Sequence, residues 1–271
     1  MKIAIIAVWG DFPKQIANQN PEAFVLCIEN HSIQSSFKNN SEIVSLLEPS
    51  NWISTLKKNK ITHIVMAGKI DRISSKILPY NKITHKLIDQ TSSLGDNSAL
   101  TFVQNFFQDN GFEILPISSI LKDCFFSKGF YREDFFSTKL KEFIINTSKF
   151  GVNILNTMSN FDIGQSVVVS NRIVFAIEAM EGTDAMILRA GGLYNDYLNH
   201  NNFGPVLVKI PKLNQNLIID LPVIGLDTIK KCKELGFSSI VVSSDGTLIA
   251  EIQLVKSYLK QHKFCIFAIY N

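Results

Sequence analysis

The chain alternates between short, wholly apolar runs and longer segments whose apolar positions return every three to four residues. Residues 2–8, KIAIIAV, are apolar after Lys2 and predict a central strand of a parallel sheet, buried on both faces. A turn at Gly10–Asp11 and a short helix from Pro13 follow. EAFVLCIE (22–29) predicts a second strand, and 41–60 a helical stretch that Pro49 breaks or restarts. THIVMAG (62–68) predicts a third strand, ending at Gly68. A helix over 98–111 places Leu100, Val103, Phe106 and Phe107 on one face, with Gly111 just past its end. FEILPI (112–117) is a fourth strand. This β-α alternation predicts an α/β domain: a Rossmann-like parallel sheet with helices on both faces.

Residues 118 to about 135, SILKDCFFSKGFYREDFF, break the pattern and mark the domain connection. The expected domains are therefore 1–130 and 131–271. An amphipathic helix over 137–159 opens the second, with Leu140, Phe143, Ile144, Phe150 and Ile154 near helical spacing. A hairpin follows, Val167–Val169 and Ile173–Ile177 around Asn171–Arg172, then a helix from about 184. Strands at 205–210, 216–222, 238–244 and 264–270 and helices at 225–236 and 250–261 complete a second α/β or α+β domain.

Composition narrows the class. A chain of 271 residues suits two domains of roughly 100–150 residues each. With 46% hydrophobic and 19% charged residues it can bury a large core. The net charge of +3 is too small for a nucleic-acid-binding stripe, and is compatible with an anionic small molecule or membrane surface. Cys27, Cys124, Cys232 and Cys265 are isolated, which favours reduced core thiols over zinc or redox motifs. No signal peptide pattern and no run of about 18 apolar residues is present, so a cytoplasmic protein is expected.

Neither a P-loop, a G-x-G-x-x-G fingerprint, H-E-x-x-H nor G-x-S-x-G occurs. His31, His63, His85, His200 and His262 are scattered. Three polar clusters sit where strands end, the usual ligand end of an α/β sheet. In the corner Glu178 to Asp184, which includes Glu181 and Thr183, the residues either cap the next helix or bind an anion. Asp220 in IIDLPVIG is either a cap or a metal- or proton-handling carboxylate. Lys209 and Lys212 in VLVKIPK either clamp phosphate oxygens or form a solvated pair. Acids and lysines gathered at strand ends would suit a divalent cation and a phosphate ester.

The stretches MAGKI, FDIGQSVVV, AIEAMEGTDAM and LVKIPKLNQNLIIDLPVIGLDTI, in this order along nearly the whole chain, resemble the LpxI-type UDP-2,3-diacylglucosamine pyrophosphatases of the lipid A pathway. That resemblance implies two domains with the active site in the cleft between them. It also implies magnesium-dependent hydrolysis (manganese as an alternative ion) by water attack on the α-phosphorus, giving UMP and 2,3-diacylglucosamine 1-phosphate. The family's essential aspartate corresponds to Asp220, expected to coordinate metal or activate water. Further substrate contacts are expected from Gly10, Gly68, Lys69, Gln165, Glu181, Thr183, Asp184, Lys209 and Lys212, with Glu181 and Asp184 as additional metal ligands. The chain departs from the family at its first turn, where only Gly10 and Pro13 keep their places beside Val8, Trp9, Asp11 and Phe12, and in a separate stretch where the family's G-D-D becomes Gly95, Asp96, Asn97. The aromatic residues Phe125, Phe126, Phe130, Tyr131, Phe135 and Phe136 are expected to line the cleft or touch the cytoplasmic face of the inner membrane. A homodimer is compatible with this reading. The alternatives are a non-catalytic nucleotide-sugar or lipid-binding protein on the same scaffold, and a hydrolase of another nucleotide-linked sugar.

Overall fold

A computed structural model describes residues 1–8, 10–30, 34–38, 40–46, 48–68, 96–197 and 203–270. Trp9, Lys69 and Gly95, and with them His31, His85 and His200, lie outside the described residues. The chain divides into two compact units. Unit 1 comprises Met1–Lys122 with Asn216–Asp220, and unit 2 comprises Asp123–Gln215 with Leu221–Asn271.

Unit 1 contains β1 (Ile3–Ala7), α1 (Phe12–Gln19), β2 (Phe24–Ile28), β3 (Ser41–Val44), α2 (Pro49–Lys58), β4 (His63–Ala67), α3 (Asp96–Asp109) and β5 (Glu113–Ile114). The strands are all parallel in the order β3-β2-β1-β4-β5. The order turns back at β1, where an open α/β sheet forms its ligand crevice. The central strands are apolar throughout because both faces are covered: β2 is buried at every position. Trp52 of α2 stacks on Phe107 of α3, with ring centroids 6.1 Å apart, and its indole N–H donates to the Ser45 carbonyl at 2.7 Å.

The expected helical stretch over 41–60 is two elements. Ser41–Val44 is a strand paired with β2, and α2 begins only at Pro49, in the first turn, where a missing N–H costs nothing. As an edge strand, β3 buries only Val44, so it carries little apolar signal of its own. The expected strand over 112–117 shrinks to Glu113–Ile114, since Pro116 has no N–H to continue the ladder.

Unit 2 contains β6 (Gly129–Tyr131), α4 (Thr138–Met158), β7 (Ser166–Ser170), β8 (Ile173–Ile177), α5 (Gly182–Tyr197), β9 (Val206–Lys209), β10 (Val223–Ile224), α6 (Leu226–Glu234), β11 (Ser239–Ser243), β12 (Leu248–Ile249), α7 (Ile252–Gln261) and β13 (Cys265–Ile269). A six-stranded mixed sheet runs β6-β13-β11-β9-β7-β8, with β9, β11 and β13 parallel and the others antiparallel to their neighbours. β10 and β12 form a separate parallel pair. Ser137 caps α4 by accepting the Leu140 N–H at 3.2 Å.

Residues 123–130 belong to unit 2. The Cys124 carbonyl accepts the Ile249 N–H at 2.8 Å, and Phe130 stacks on Phe267 with centroids 4.2 Å apart. Phe126 is buried in the unit 2 core and packs against Tyr131. Phe130 and Phe136 pack against a second apolar cluster of the same unit. Phe126 is thus core and Phe130, Tyr131 and Phe136 are partly buried against it or its neighbour cluster, while Phe135 is exposed, with the Arg132 guanidinium 4.2 Å over its ring. All four cysteines are free and buried. Burial pushes the Cys232 thiol far up and the Cys265 thiol up to about 12, so both stay protonated.

The expected strand over 216–222 is instead a turn. The Ile219 and Asp220 N–H groups both donate to the Asn216 carbonyl, at 3.1 and 2.9 Å. Leu217 and Ile218 face solvent, while Ile219 enters the core of unit 1. Three consecutive apolar residues look like a buried strand, yet only the last of them is buried.

Ile219→Ala should therefore destabilise unit 1 by about 2 kcal/mol or more. Denaturant unfolding followed by tryptophan fluorescence checks this, because Trp52 is buried in unit 1. An unchanged midpoint would contradict it.

Candidate active site

The sheet of unit 2 collects polar residues along one edge. β9, β11 and β13 are parallel, so their carboxyl ends lie together. β7 runs the other way and begins beside them: Ser166 pairs with Lys209. β8 ends at the same edge, with Ile177 opposite Val167. Gln165, Glu178 and Lys209 are thereby neighbours, and α5 starts there with Gly182, Thr183 and Asp184.

Two charges on this edge are buried. Glu178 is 7% exposed and Lys209 4%. Their charged atoms, Oε2 and Nζ, lie 3.9 Å apart, and Thr183 bridges them. The Thr183 hydroxyl donates to Glu178 Oε1 at 2.6 Å and accepts from Lys209 Nζ at 2.5 Å. The Gln165 N–H donates to Glu178 Oε2 at 3.3 Å. Burial pushes the Glu178 carboxyl up, but the Lys209 charge and these donors outweigh it and hold the group below the ordinary glutamate range. The pair is ionised, and its geometry is fixed by hydrogen bonds on both partners.

The backbone around the pair is equally constrained. The Lys209 carbonyl accepts the buried Thr247 hydroxyl at 3.0 Å, which in turn accepts the Ser243 N–H at 3.1 Å, so the ends of β9 and β11 are tied. Gly164 has φ +50°, and a Cβ there would fall 2.0 Å from the Glu178 carbonyl oxygen. No other residue allows that approach. Gln165 closes the neighbouring turn: its carbonyl accepts the Ile210 N–H at 3.2 Å, and its side-chain Oε1 accepts from Gln215 Nε2 at 3.1 Å. Gln215 Oε1 takes the Lys212 N–H at 2.8 Å, and Lys212 Nζ donates to Asp162.

Of the residues expected from sequence, the structure thus brings together Gln165, Thr183 and Lys209, with Lys212 on the adjoining loop. Glu181 and Asp184 have other partners. Glu181 Oε1 takes Arg189 Nη2 at 2.6 Å, and Arg189 also donates to the Ile177 carbonyl. Asp184 Oδ2 takes Lys231 Nζ at 2.5 Å, linking α5 to α6. This hydrogen bond raises the Lys231 ammonium above its ordinary value. Gly10 and Gly68 follow β1 and β4 of unit 1, with φ +103° and +96°. Asp220, half-buried, belongs to unit 1 and immediately precedes the chain's return to unit 2. Among the described residues no group of three or more His, Cys, Asp and Glu side chains is gathered to hold a metal ion.

Sequence reasoning placed Glu178 at the start of the polar corner without giving it the role of partner to Lys209, and it did not single out Asp162 or Gln215. The signal for Glu178 was present: an acid directly after an apolar strand is buried with it and needs a cation. The cation, Lys209, ends a different strand and becomes a neighbour only through the order of the sheet.

Removing one member of the pair strands the other. Lys209→Met should cost about 3–5 kcal/mol, whereas Glu178→Gln with Lys209→Met should cost clearly less than the sum of the singles. Because the folded Glu178 titrates below its unfolded value, its contribution is present above the ordinary glutamate pKa and lost as pH falls through the folded value. Glu178→Gln should remove that acid limb. Additive single costs in urea unfolding, or an unchanged acid limb, would contradict the pairing.

Comparison with known proteins bears on the same residues. The LpxI N-terminal domain model matches residues 2–124, and the LpxI C-terminal domain model matches residues 134–267. A protein of Caulobacter vibrioides named UDP-2,3-diacylglucosamine pyrophosphatase LpxI is 26% identical over 264 residues, covering 94% of this chain and 92% of its own length. With both domains matched in order, and the match running through the edge built around Glu178, Thr183 and Lys209, this chain belongs to the LpxI family.

Proposed function

We propose that the protein hydrolyses UDP-2,3-diacylglucosamine in the cytoplasm, by water attack on the α-phosphorus, releasing UMP and 2,3-diacylglucosamine 1-phosphate for lipid A synthesis. Family membership and the name of the Caulobacter relative support the substrate. The observation that carries the chemistry is the buried Lys209, held charged by Glu178 and turned toward Thr183 at the start of α5. A helix N-terminus and an ammonium at one edge supply donors for phosphate oxygens, and the Thr183 hydroxyl, its proton given to Glu178, orients the ammonium. Such donors stabilise the charge that accumulates as the bond to the sugar phosphate breaks. Among the described residues no helix is long and apolar enough to cross a membrane.

Asp220, the residue that corresponds to the family's essential aspartate, is the carboxylate assigned to the expected magnesium. Glu181 and Asp184 are each neutralised by a cation of their own, Arg189 and Lys231. Magnesium needs only one or two carboxylates when phosphate oxygens and water complete its shell. Asp220 would supply that carboxylate, or accept the proton of the attacking water. When bound, magnesium neutralises phosphoryl charge and acidifies a coordinated water. The chain's own residues then orient the diphosphate: Lys209 and the first turn of α5 hold its oxygens, Thr183 orients the Lys209 ammonium, and Gln165 fixes the loop beside them.

Asp220→Ala should lower UMP release from UDP-2,3-diacylglucosamine by about 10²–10³-fold or more while the unfolding midpoint stays unchanged. The wild-type activity should disappear with EDTA and return with excess magnesium. Near wild-type turnover in the variant would overturn the role of Asp220, and no UMP release by the wild type would overturn the reading.

A further inference from the structure

The turn that ends in Asp220 is organised by one side chain. Asn216 uses its main-chain carbonyl to accept the Ile219 and Asp220 N–H groups, at 3.1 and 2.9 Å. Its side-chain Oδ1 accepts the Ile218 N–H at 3.1 Å. That bond fixes the amide orientation: with Oδ1 facing an N–H donor, Nδ2 points the other way and donates. It donates to Gln104 Oε1 at 2.6 Å. Gln104 lies on α3 and is only 9% exposed. The two residues are far apart in sequence, yet both belong to unit 1.

The turn has a second anchor three residues further on, where Ile219 enters the apolar cluster that also holds Phe107 of α3. One amide contact and one buried side chain thus hold the turn against unit 1, and Asp220 is the residue that follows. Its N–H is bound to Asn216, so the direction of its backbone is set by where Asn216 sits. Gln104 is one of the contacts that hold Asn216. A glutamine almost wholly buried in a helix has to satisfy its amide somewhere, and this partner does so.

We propose that Gln104 and Asn216 are the positioning residues of Asp220: α3 fixes the catalytic carboxylate through a buried amide-amide hydrogen bond. This rests on the role proposed for Asp220, and it adds that a residue of the first family domain sets the aim of the catalytic residue of the second. The pair does not touch the reacting atoms. Its effect is on geometry, where a shift of about 1 Å can cost on the order of 10²-fold in rate.

The test uses four variants of the full chain. Gln104→Leu and Asn216→Ala break the contact. Gln104→Glu keeps an acceptor for Asn216 Nδ2, and Asn216→Asp keeps Oδ1 for the Ile218 N–H while the Gln104 amide flips to donate. Leucine nearly matches glutamine in size, so the fold should persist, checked by circular dichroism. In hydrogen exchange the Ile218, Ile219 and Asp220 amides should open faster in Gln104→Leu and Asn216→Ala, and stay near wild type in the two conservative variants. In the assay, kcat for UMP release should fall on the order of 10–100-fold in the first two with KM changed little, and recover in the conservative pair. Wild-type exchange at these amides in Gln104→Leu would overturn the positioning claim whatever the activity. A wild-type protein that releases no UMP would overturn the proposed reaction but leave the exchange result decisive for the turn. Faster exchange with unchanged kcat would show that Asp220 is not aimed through this pair.

Discussion

A carboxylate and an ammonium taken out of water must be taken out together. Glu178 and Lys209 meet that constraint at the ligand edge of the second sheet, and much of the surrounding structure follows from it. The pair requires β8 and β9 to end at one edge, which the intervening antiparallel β7 achieves. Glu178 needs donors, and Thr183 and the Gln165 N–H provide them. The loop before β7 must pass close to the Glu178 backbone, which calls for a glycine at 164. Thr183 must sit at the start of a helix, so α5 begins there. Burying the pair is costly compared with an apolar substitute. A protein that retains it gains a positive charge fixed in position at the start of α5.

The acids near this edge divide by exposure. Glu178 is buried and serves the lysine. Glu181 and Asp184, more exposed, form surface ion pairs with Arg189 and Lys231, which fasten α5 to β8 and to α6. Surface pairs of this kind contribute little stability, but they orient the helix whose first turn forms part of the site. Asp220 stands apart from all three. It sits on a turn anchored in the first unit, between residues of the second.

Much of the fold was legible in the sequence because most strands are buried on both faces and announce themselves as apolar runs. β1, β2, β4, β7, β11 and β13 are of this kind, and α3, α4 and α7 show the helical period. Two segments were not legible. Ser41–Val44 is a strand only because β2 offers main-chain partners, and it buries one residue. Residues 216–222 contain an apolar triplet whose members part ways, Leu217 and Ile218 to solvent and Ile219 to a core formed by a distant stretch of chain. No local pattern records such a division. At the candidate site, the family resemblance pointed to Gln165 and the strand-end clusters to Glu178, Thr183 and Lys209, but the pairing of Glu178 with Lys209 appeared only once sheet order brought the two together. The partners of Glu181 and Asp184 were equally hidden, since Lys231 lies on a helix whose packing no spacing rule predicts.

The central claim is that the site is built on an ionised buried pair, and the most direct measurement is the titration of the Glu178 carboxyl carbon by NMR in the wild type and in Lys209→Met. The account predicts a wild-type pKa below the ordinary glutamate value and a marked rise when Lys209 is replaced. A wild-type carboxyl that titrates at or above the ordinary value, or one unmoved by loss of the lysine, would contradict it.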